Sequence, residues 1–327
     1  MTRTSWLSIV ASTVLGIALV GGLLYTVDLS ETVSLLSRVD PVIFAALALL
    51  TGFNAFLAGE KWRVVALRLS HEGTRPIPRG FYFVLTAIGV ALGQVVPVQV
   101  GTALSRSIGS HFYGGRAIAR GAGATIFEQF FDLLVAAFLG VASAVVLLAG
   151  GAGIAWAAIA VPAAVAGYFV TALAVRLVAR AAHRLGAMPA LAGRRRTLGL
   201  LENVARSALL APDVARRLFA LSVLRFVVLL LMAVATTEAV GFDIALWQVA
   251  AMLPCLVLSN LIAITPGALG VNEWTAASIF VALGVPFSLA AQWAVLNRVF
   301  VAVASLLVGL VGLAMAVRLS GSRVSAV

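Results

Sequence analysis

Glu128 and Asp132 lie four residues apart inside an apolar stretch, so a helix carrying them presents both carboxylates on one face. Two carboxylates that close repel, and the pair must hold a proton, share a cation or sit beside one. Three more charges interrupt apolar runs: Arg106, Glu273 with Asn272 before it, and Arg298 with Asn297 before it. A charge at the centre of a membrane helix costs about 2.5–3.5 kcal/mol, so each needs a partner or a wet cavity. Arginine suits phosphate, through two parallel N–H donors and a charge that never titrates away. Two readings follow. Arg106 and Arg298 either neutralise Glu128, Asp132 and Glu273 to lock helices together, or the five line a groove for a charged lipid head. Arg63, next to Trp62, is read first as an interfacial anchor and second as a head-group contact. Arg225 stands about two turns from the end of its run and is read as snorkelling to the interface. Asn260 and Gln94 are read as partners for backbone freed near the breaks described below.

The elements that position these residues follow from composition. Of 327 residues, 62% are hydrophobic and 11% charged, with a mean hydropathy of +1.10. That excludes an ordinary soluble enzyme and a disordered chain. The apolar residues come in long runs, at about 5–27, 41–59, 80–113, 120–149, 152–178, 218–238, 246–286 and 287–317. Such runs specify membrane helices and argue against a transmembrane barrel of alternating strands. The N-terminal run lacks a small-residue cleavage site and reads as a retained helix. The net charge of +11 is assigned to loops that orient the chain, not to nucleic acid. His71, His111 and His183 are scattered and Cys255 is alone, so no metal site, cofactor or disulfide is expected.

Loop charge then sets the topology. Residues 28–40 hold Asp28, Glu31 and Asp40 against Arg38, whereas 60–79 hold Lys61, Arg63, Arg68, Arg75 and Arg79. Positive loops are cytoplasmic, which puts the N-terminus inside. A simple crossing at 80–96 would place Arg106, Arg116 and Arg120 outside. A helical hairpin that enters and returns across a break at Pro97 removes the conflict, and a second hairpin broken at Pro266 does the same for 246–286. The expected architecture is all-α and polytopic: about six full transmembrane helices plus two re-entrant hairpins, with eight simple spans as the fallback. Both termini are then cytoplasmic.

The breaks share a P-x-x-x-G pattern, Pro97…Gly101 and Pro266-Gly267…Gly270, set 169 residues apart. The same offset carries Gln129 onto Arg298, each 32 residues beyond its proline. Paired broken segments in oppositely inserted halves point to a midplane transport site. The chain is therefore read as one membrane domain, 1–327, with repeat 1 at about 41–149 and repeat 2 at about 218–318. Between them a basic cytoplasmic linker, 179–217, is expected to touch anionic lipid head groups. Thr265-Pro266 reads as a cap and first turn, so each half-helix is expected to aim its N-terminus at the membrane centre.

The run Leu258-Ser-Asn-Leu-Ile-Ala-Ile-Thr-Pro-Gly-Ala-Leu-Gly-Val-Asn-Glu273, followed by Ala282-Leu-Gly-Val-Pro286 and Leu296-Asn-Arg298, resembles the lysylphosphatidylglycerol synthase transmembrane-region family, also called the flippase-like domain family. Glu60-Lys-Trp-Arg63, Gly93-Gln-Val-Val-Pro97 with Gly101 and Arg106, and Glu128 with Asp132 extend the likeness over about 60–300. Thr102 and Gln129 stand where that family usually has an acid and an arginine. The resemblance implies movement of a lipid or polyprenyl-phosphate-linked sugar between leaflets, and the Ala- and Arg-rich composition points to a prokaryotic cell membrane. It also implies that the family's aminoacyltransferase chemistry, which lies in a separate soluble domain, is not expected here. The competing readings are a membrane enzyme using Glu128 and Asp132 as acid and base, and a non-transporting subunit of an envelope assembly. Under the transport reading Arg106 and Arg298 bind phosphate while Glu128, Asp132 and Glu273 position them.

Overall fold

A computed structural model describes residues 3–68, 77–114, 118–149, 153–186, 212–263 and 265–324. Over these the chain forms eleven α-helices joined by short turns: α1 (Arg3–Tyr25), α2 (Leu29–Ser37), α3 (Pro41–Arg68), α4 (Arg79–Leu92), α5 (Val98–Gly114), α6 (Ile118–Ala149), α7 (Gly153–Gly186), α8 (Pro212–Val240), α9 (Leu246–Ile262), α10 (Val271–Ala282) and α11 (Phe287–Val324). Among the described residues five helices are long and apolar enough to cross a membrane: α3, 121–149 of α6, 153–171 of α7, α8, and 287–319 of α11. The α1–α2 pair makes a sixth candidate, bent by 92°. Asp28 makes that bend: its Oδ1 caps α2 by accepting from the Ser30 and Glu31 backbone N–H groups at 2.9 and 3.1 Å. The protein is thus an all-α, multi-span membrane protein. Leu49, Leu148, Ile154 and Leu310 are exposed on its flank, as lipid-facing side chains are.

Both expected breaks are present. α4 has 14 residues and α10 has 12, or about 21 and 18 Å, short of a hydrocarbon core of about 30 Å. α4 packs on α5, and α9 on α10, so each pair is a hairpin. The glycines serve them differently. A Cβ on Gly101 would stand 2.7 Å from the Gly93 nitrogen, so Gly101 lets the arms of the first hairpin touch. Gly270 instead has φ +81°, a left-handed conformation that side chains resist.

The start of the last half-helix differs from expectation. Pro266–Ala268 forms only a 3-10 turn, the Thr265 side chain makes no cap bond, and α10 begins at Val271. The Glu273 carboxylate caps it instead, accepting from Gly270 N–H at 2.6 Å. The helix thus starts at Val271 and not at the Thr265-Pro266 pair, with a carboxylate in its first turn. The first break follows the pattern more closely: Val100 and Gly101 N–H groups donate to the Pro97 carbonyl and α5 begins at once.

The order full helix, short helix, break, short helix, long helix occurs twice, in α3–α6 and in α8–α11. Packing is reciprocal: α11 lies along α4, α6 lies along α9, and α3 lies against α8. The α4–α11 contact is close because small residues meet there, Gly309 on Ala91 and Gly312 on Ala87. The hairpin tips touch through backbone: Gly267 N–H donates to the Val96 carbonyl at 3.0 Å. Most of the linker read as 179–217 lies outside the described residues, at 187–211. Its flanks are the end of α7 and the start of α8.

Candidate functional site

Beside the tip contact lies a cavity of about 320 Å³. Helical spacing builds its walls. Thr51, Asn54 and Ala58 repeat at three and four residues on α3, Glu128 and Asp132 on α6, and Ala294, Asn297, Arg298, Val301 and Ser305 on α11. The cavity also receives Arg106 from α5, Arg225 from α8, Gln94 and Gly267 from the breaks, and Asn272 and Glu273 from α10.

Its electrostatic centre is a buried chain of alternating charges. Arg106 is 0% exposed and every part of its guanidinium is committed: Nη1 to Glu128 Oε1 at 2.6 Å, Nε to Thr86 Oγ1 at 3.2 Å, and Nη2 to the Ala58 carbonyl at 3.2 Å. It also stacks over Trp62, 5.2 Å from the ring centroid. Lys61, equally buried, joins the two carboxylates, with Nζ 3.2 Å from Glu128 Oε2 and 2.5 Å from Asp132 Oδ1. Asp132 Oδ2 accepts from Arg225 Nη1, and Arg225 Nε donates to Asn54 Oδ1 at 3.0 Å. The carboxylates at i and i+4 therefore coexist because cations flank and separate them.

Arg298 stands apart from that chain. Its Nη1 donates to the Gly267 carbonyl at 2.7 Å and its Nε lies 3.5 Å from Glu273 Oε1. Arg225 and Arg298 are 18% and 20% exposed. Among the described residues, no hydrogen bond occupies Nη2 of either. Asn272 belongs to an amide relay, donating to Asn260 Oδ1 at 3.1 Å and accepting from Ser259 Oγ at 3.0 Å. Asn297 Oδ1 accepts from Thr236 Oγ1 at 3.3 Å.

The structure thus gathers Arg106, Glu128, Asp132, Glu273, Asn272, Asn297 and Arg298 around one cavity. It leaves Arg63 outside: Nη2 pairs with Glu60 Oε2 at 2.8 Å, and Arg79 pairs with the other oxygen of the same carboxylate. Of the break residues only Gly267 lines the cavity, whereas Pro97, Gly101, Pro266 and Gly270 shape the hairpins around it. Two basic residues are corrected. Lys61 is not in a positive loop, because α3 continues to Arg68 and buries it. Arg225 does not snorkel, because Asp132 and Asn54 hold it inward. Lys61 is the lone lysine and Arg225 interrupts an apolar run, which were the available signals. The break amides also differ from expectation: Asn260 donates to the Leu256 carbonyl of its own helix, and Gln94 Oε1 is buried with no hydrogen-bond partner among the described residues. Among the described residues no three His, Cys, Asp or Glu side chains group as metal ligands do.

Two short-armed hairpins meeting over a charged, amide-lined cavity define a helical membrane protein with a polar site inside its transmembrane bundle. The chain belongs to the lysylphosphatidylglycerol synthase TM region family, which it matches over residues 6–309. No curated protein and no solved structure matches it. Family and fold together make it a membrane protein of lipid metabolism or transport.

Proposed function

We propose that the protein moves an anionic lipid, of the phospholipid or polyprenyl-phosphate-linked kind, between the leaflets of a prokaryotic cell membrane. The head group occupies the cavity while the tails stay in the bilayer. The observation that carries this reading is the pair of partly exposed arginines, Arg225 and Arg298, each with an Nη2 free of hydrogen bonds among the described residues. Arg106, fully bonded within the protein, positions Glu128 and so acts on the head group only through the network.

In this reading the two four-helix units are an inverted repeat. Two full helices, α6 and α7, separate α3 from α8, which reverses the direction of the second unit if each hairpin returns to the side it entered. Both termini are then cytoplasmic, and the basic segment around 179–217 faces anionic head groups. A phosphate approaching Arg298 competes with the Gly267 carbonyl for Nη1. Loss of that bond leaves the second tip held to the first by the Gly267 N–H to Val96 bond alone, and parting of the hairpins then exposes the cavity to the other leaflet. The protein is read as a carrier without chemistry of its own. An acid–base enzyme on Glu128 and Asp132 fits less well, since Lys61, Arg106 and Arg225 already hold both carboxylates.

The test is Arg298→Ala in proteoliposomes, with movement of a fluorescent anionic lipid followed by dithionite quenching. The expected result is a folded, reconstituted variant whose lipid movement falls to that of protein-free vesicles. Movement at the wild-type rate would overturn the assignment.

A further inference from the structure

We infer that α1 is a strap on the second hairpin: the two move as one body, hinged at the bend between α1 and α2. The inference rests on the translocation reading above and names the element that travels with the second tip.

The 266–270 turn is held on two sides, and the two sides differ in kind. Toward the cavity its partners are polar. Gly267 N–H donates to the Val96 carbonyl, and Arg298 Nη1 donates to the Gly267 carbonyl. Water or a ligand can replace either bond. Toward α1 the contact is a close fit of backbone. A Cβ on Gly16 would stand 3.2 Å from the Leu269 carbonyl oxygen and 3.4 Å from the Thr265 Cβ. A Cβ on Gly270 would stand 2.3 Å from the Leu19 Cβ. Glycine on each side lets the two segments approach. Trp274 Nε1 of α10 adds a hydrogen bond to the Leu19 carbonyl at 2.8 Å.

α1 turns Val14, Leu15 and Ile17 outward, so lipid lies beyond it. Hydrocarbon offers the Trp274 N–H no replacement partner and cannot cover the broken backbone of the turn. Parting the second tip from the first hairpin therefore costs less than parting it from α1. A strap that stays with the tip keeps that backbone out of lipid in every state of the cycle.

The bend supplies the hinge. α1 and α2 meet at 92°, with Leu23 and Val27 buried beside the corner. Beyond it α2 is tied to α11, where Gln292 Nε2 donates to Glu31 Oε2 at 2.7 Å. One end of α1 thus rests on a fixed element while its middle rides on the tip, the arrangement of a hinged arm.

A disulfide separates a strap from a fixed stop. The Cβ position of Gly16 lies 3.4 Å from the Leu269 Cβ, near the roughly 3.8 Å that a disulfide spans. Gly16→Cys/Leu269→Cys is made in a Cys255→Ser background, because Cys255 is the chain's single cysteine. Oxidised, it is expected to move fluorescent phosphatidylglycerol in proteoliposomes within about twofold of its reduced form, since the bond joins parts that do not separate in the gating step. Absence of the cross-link, or arrest on oxidation that a reductant reverses, overturns the inference. If the Cys255→Ser parent moves no lipid, the translocation reading falls, and spin-label distances decide the strap by themselves. They decide it also if the reduced double variant is inactive. Labels at Ile17→Cys and Val281→Cys lie within the proposed body, and labels at Ile17→Cys and Leu104→Cys join it to the first hairpin; all three positions are exposed. In Gly267→Ala, where an added Cβ would lie 2.8 Å from the Gln94 carbonyl oxygen and push the tips apart, the second distance is expected to widen and the first to hold. Widening of the first, or no change in the second, overturns the inference.

Discussion

Replacing Arg106 with leucine should unfold the protein more readily than any change at Arg298, although both arginines line the same cavity. The substitution removes the 2.6 Å bond to Glu128, two further hydrogen bonds at 3.2 Å and the stacking over Trp62. Glu128 stays 1% exposed with only Lys61 beside it, at 3.2 Å. Deleting one partner of a buried ion pair costs about 3–5 kcal/mol. In a chain of this size that lowers the melting temperature by on the order of 10 °C. Arg298→Ala, by contrast, loses one hydrogen bond and a longer ionic contact at a partly exposed position, about 1 kcal/mol. Thermal unfolding of detergent-solubilised protein, read by the fraction surviving size-exclusion chromatography, should separate the two. The double variant Arg106→Leu/Glu128→Leu should be less destabilised than the sum of its singles by about 2 kcal/mol, because removing both charges leaves no orphan. An Arg106→Leu protein that melts with the wild type, or a strictly additive double variant, would refute the argument that Arg106 is structural.

Two further outcomes follow from the tips. Gly267 has φ +59°, and a Cβ there would lie 2.5 Å from Arg298 Nη2 and 2.8 Å from the Gln94 carbonyl. Gly267→Ala should therefore cost about 1–3 kcal/mol in stability and separate the tips; a variant that melts and transports like the wild type would remove the tip contact from the mechanism. Single cysteines at 97 and 266 should react slowly with membrane-impermeant maleimide and from opposite faces of oriented vesicles; fast labelling of both from one face would contradict oppositely inserted hairpins.

The local features were legible because local physics sets them. The four-residue spacing of Glu128 and Asp132 fixes a shared face in any helix, and two prolines with nearby glycines interrupt apolar runs whatever the surroundings. Partner choice was less legible. Lys61 and Asp132 are 71 residues apart and Asp132 and Arg225 are 93 apart, so no spacing rule joins them. Loop-charge counting assigned Lys61 to the cytoplasm because it sees charge and not how far α3 runs on. The second break misled for a related reason: Thr-Pro is a sound helix start by propensity, yet the chain takes a left-handed turn at Gly267 and restarts under Glu273. Tertiary contacts at Gly270, whose Cβ position is filled by Leu19 of α1, hold that alternative in place.

Arg298 links recognition to motion in the proposed cycle because its bonds are divided between the two. One nitrogen holds the Gly267 carbonyl of a tip, another faces Glu273, and Nη2 is free for a ligand among the described residues. A ligand shifts an equilibrium only through unequal affinity for its two states. In the proposed cycle the inequality lies at Arg298, since a phosphate drawn to Nη2 competes with the Gly267 carbonyl for Nη1 and so favours the state in which that tip is released. Arg106 offers no such choice, since each of its three nitrogens bonds within the protein and the side chain is 0% exposed. The broken backbone at Pro266–Gly270 then has a reason beyond making room. A continuous helix would spend the Gly267 carbonyl on its own hydrogen-bond ladder and leave Arg298 nothing to release.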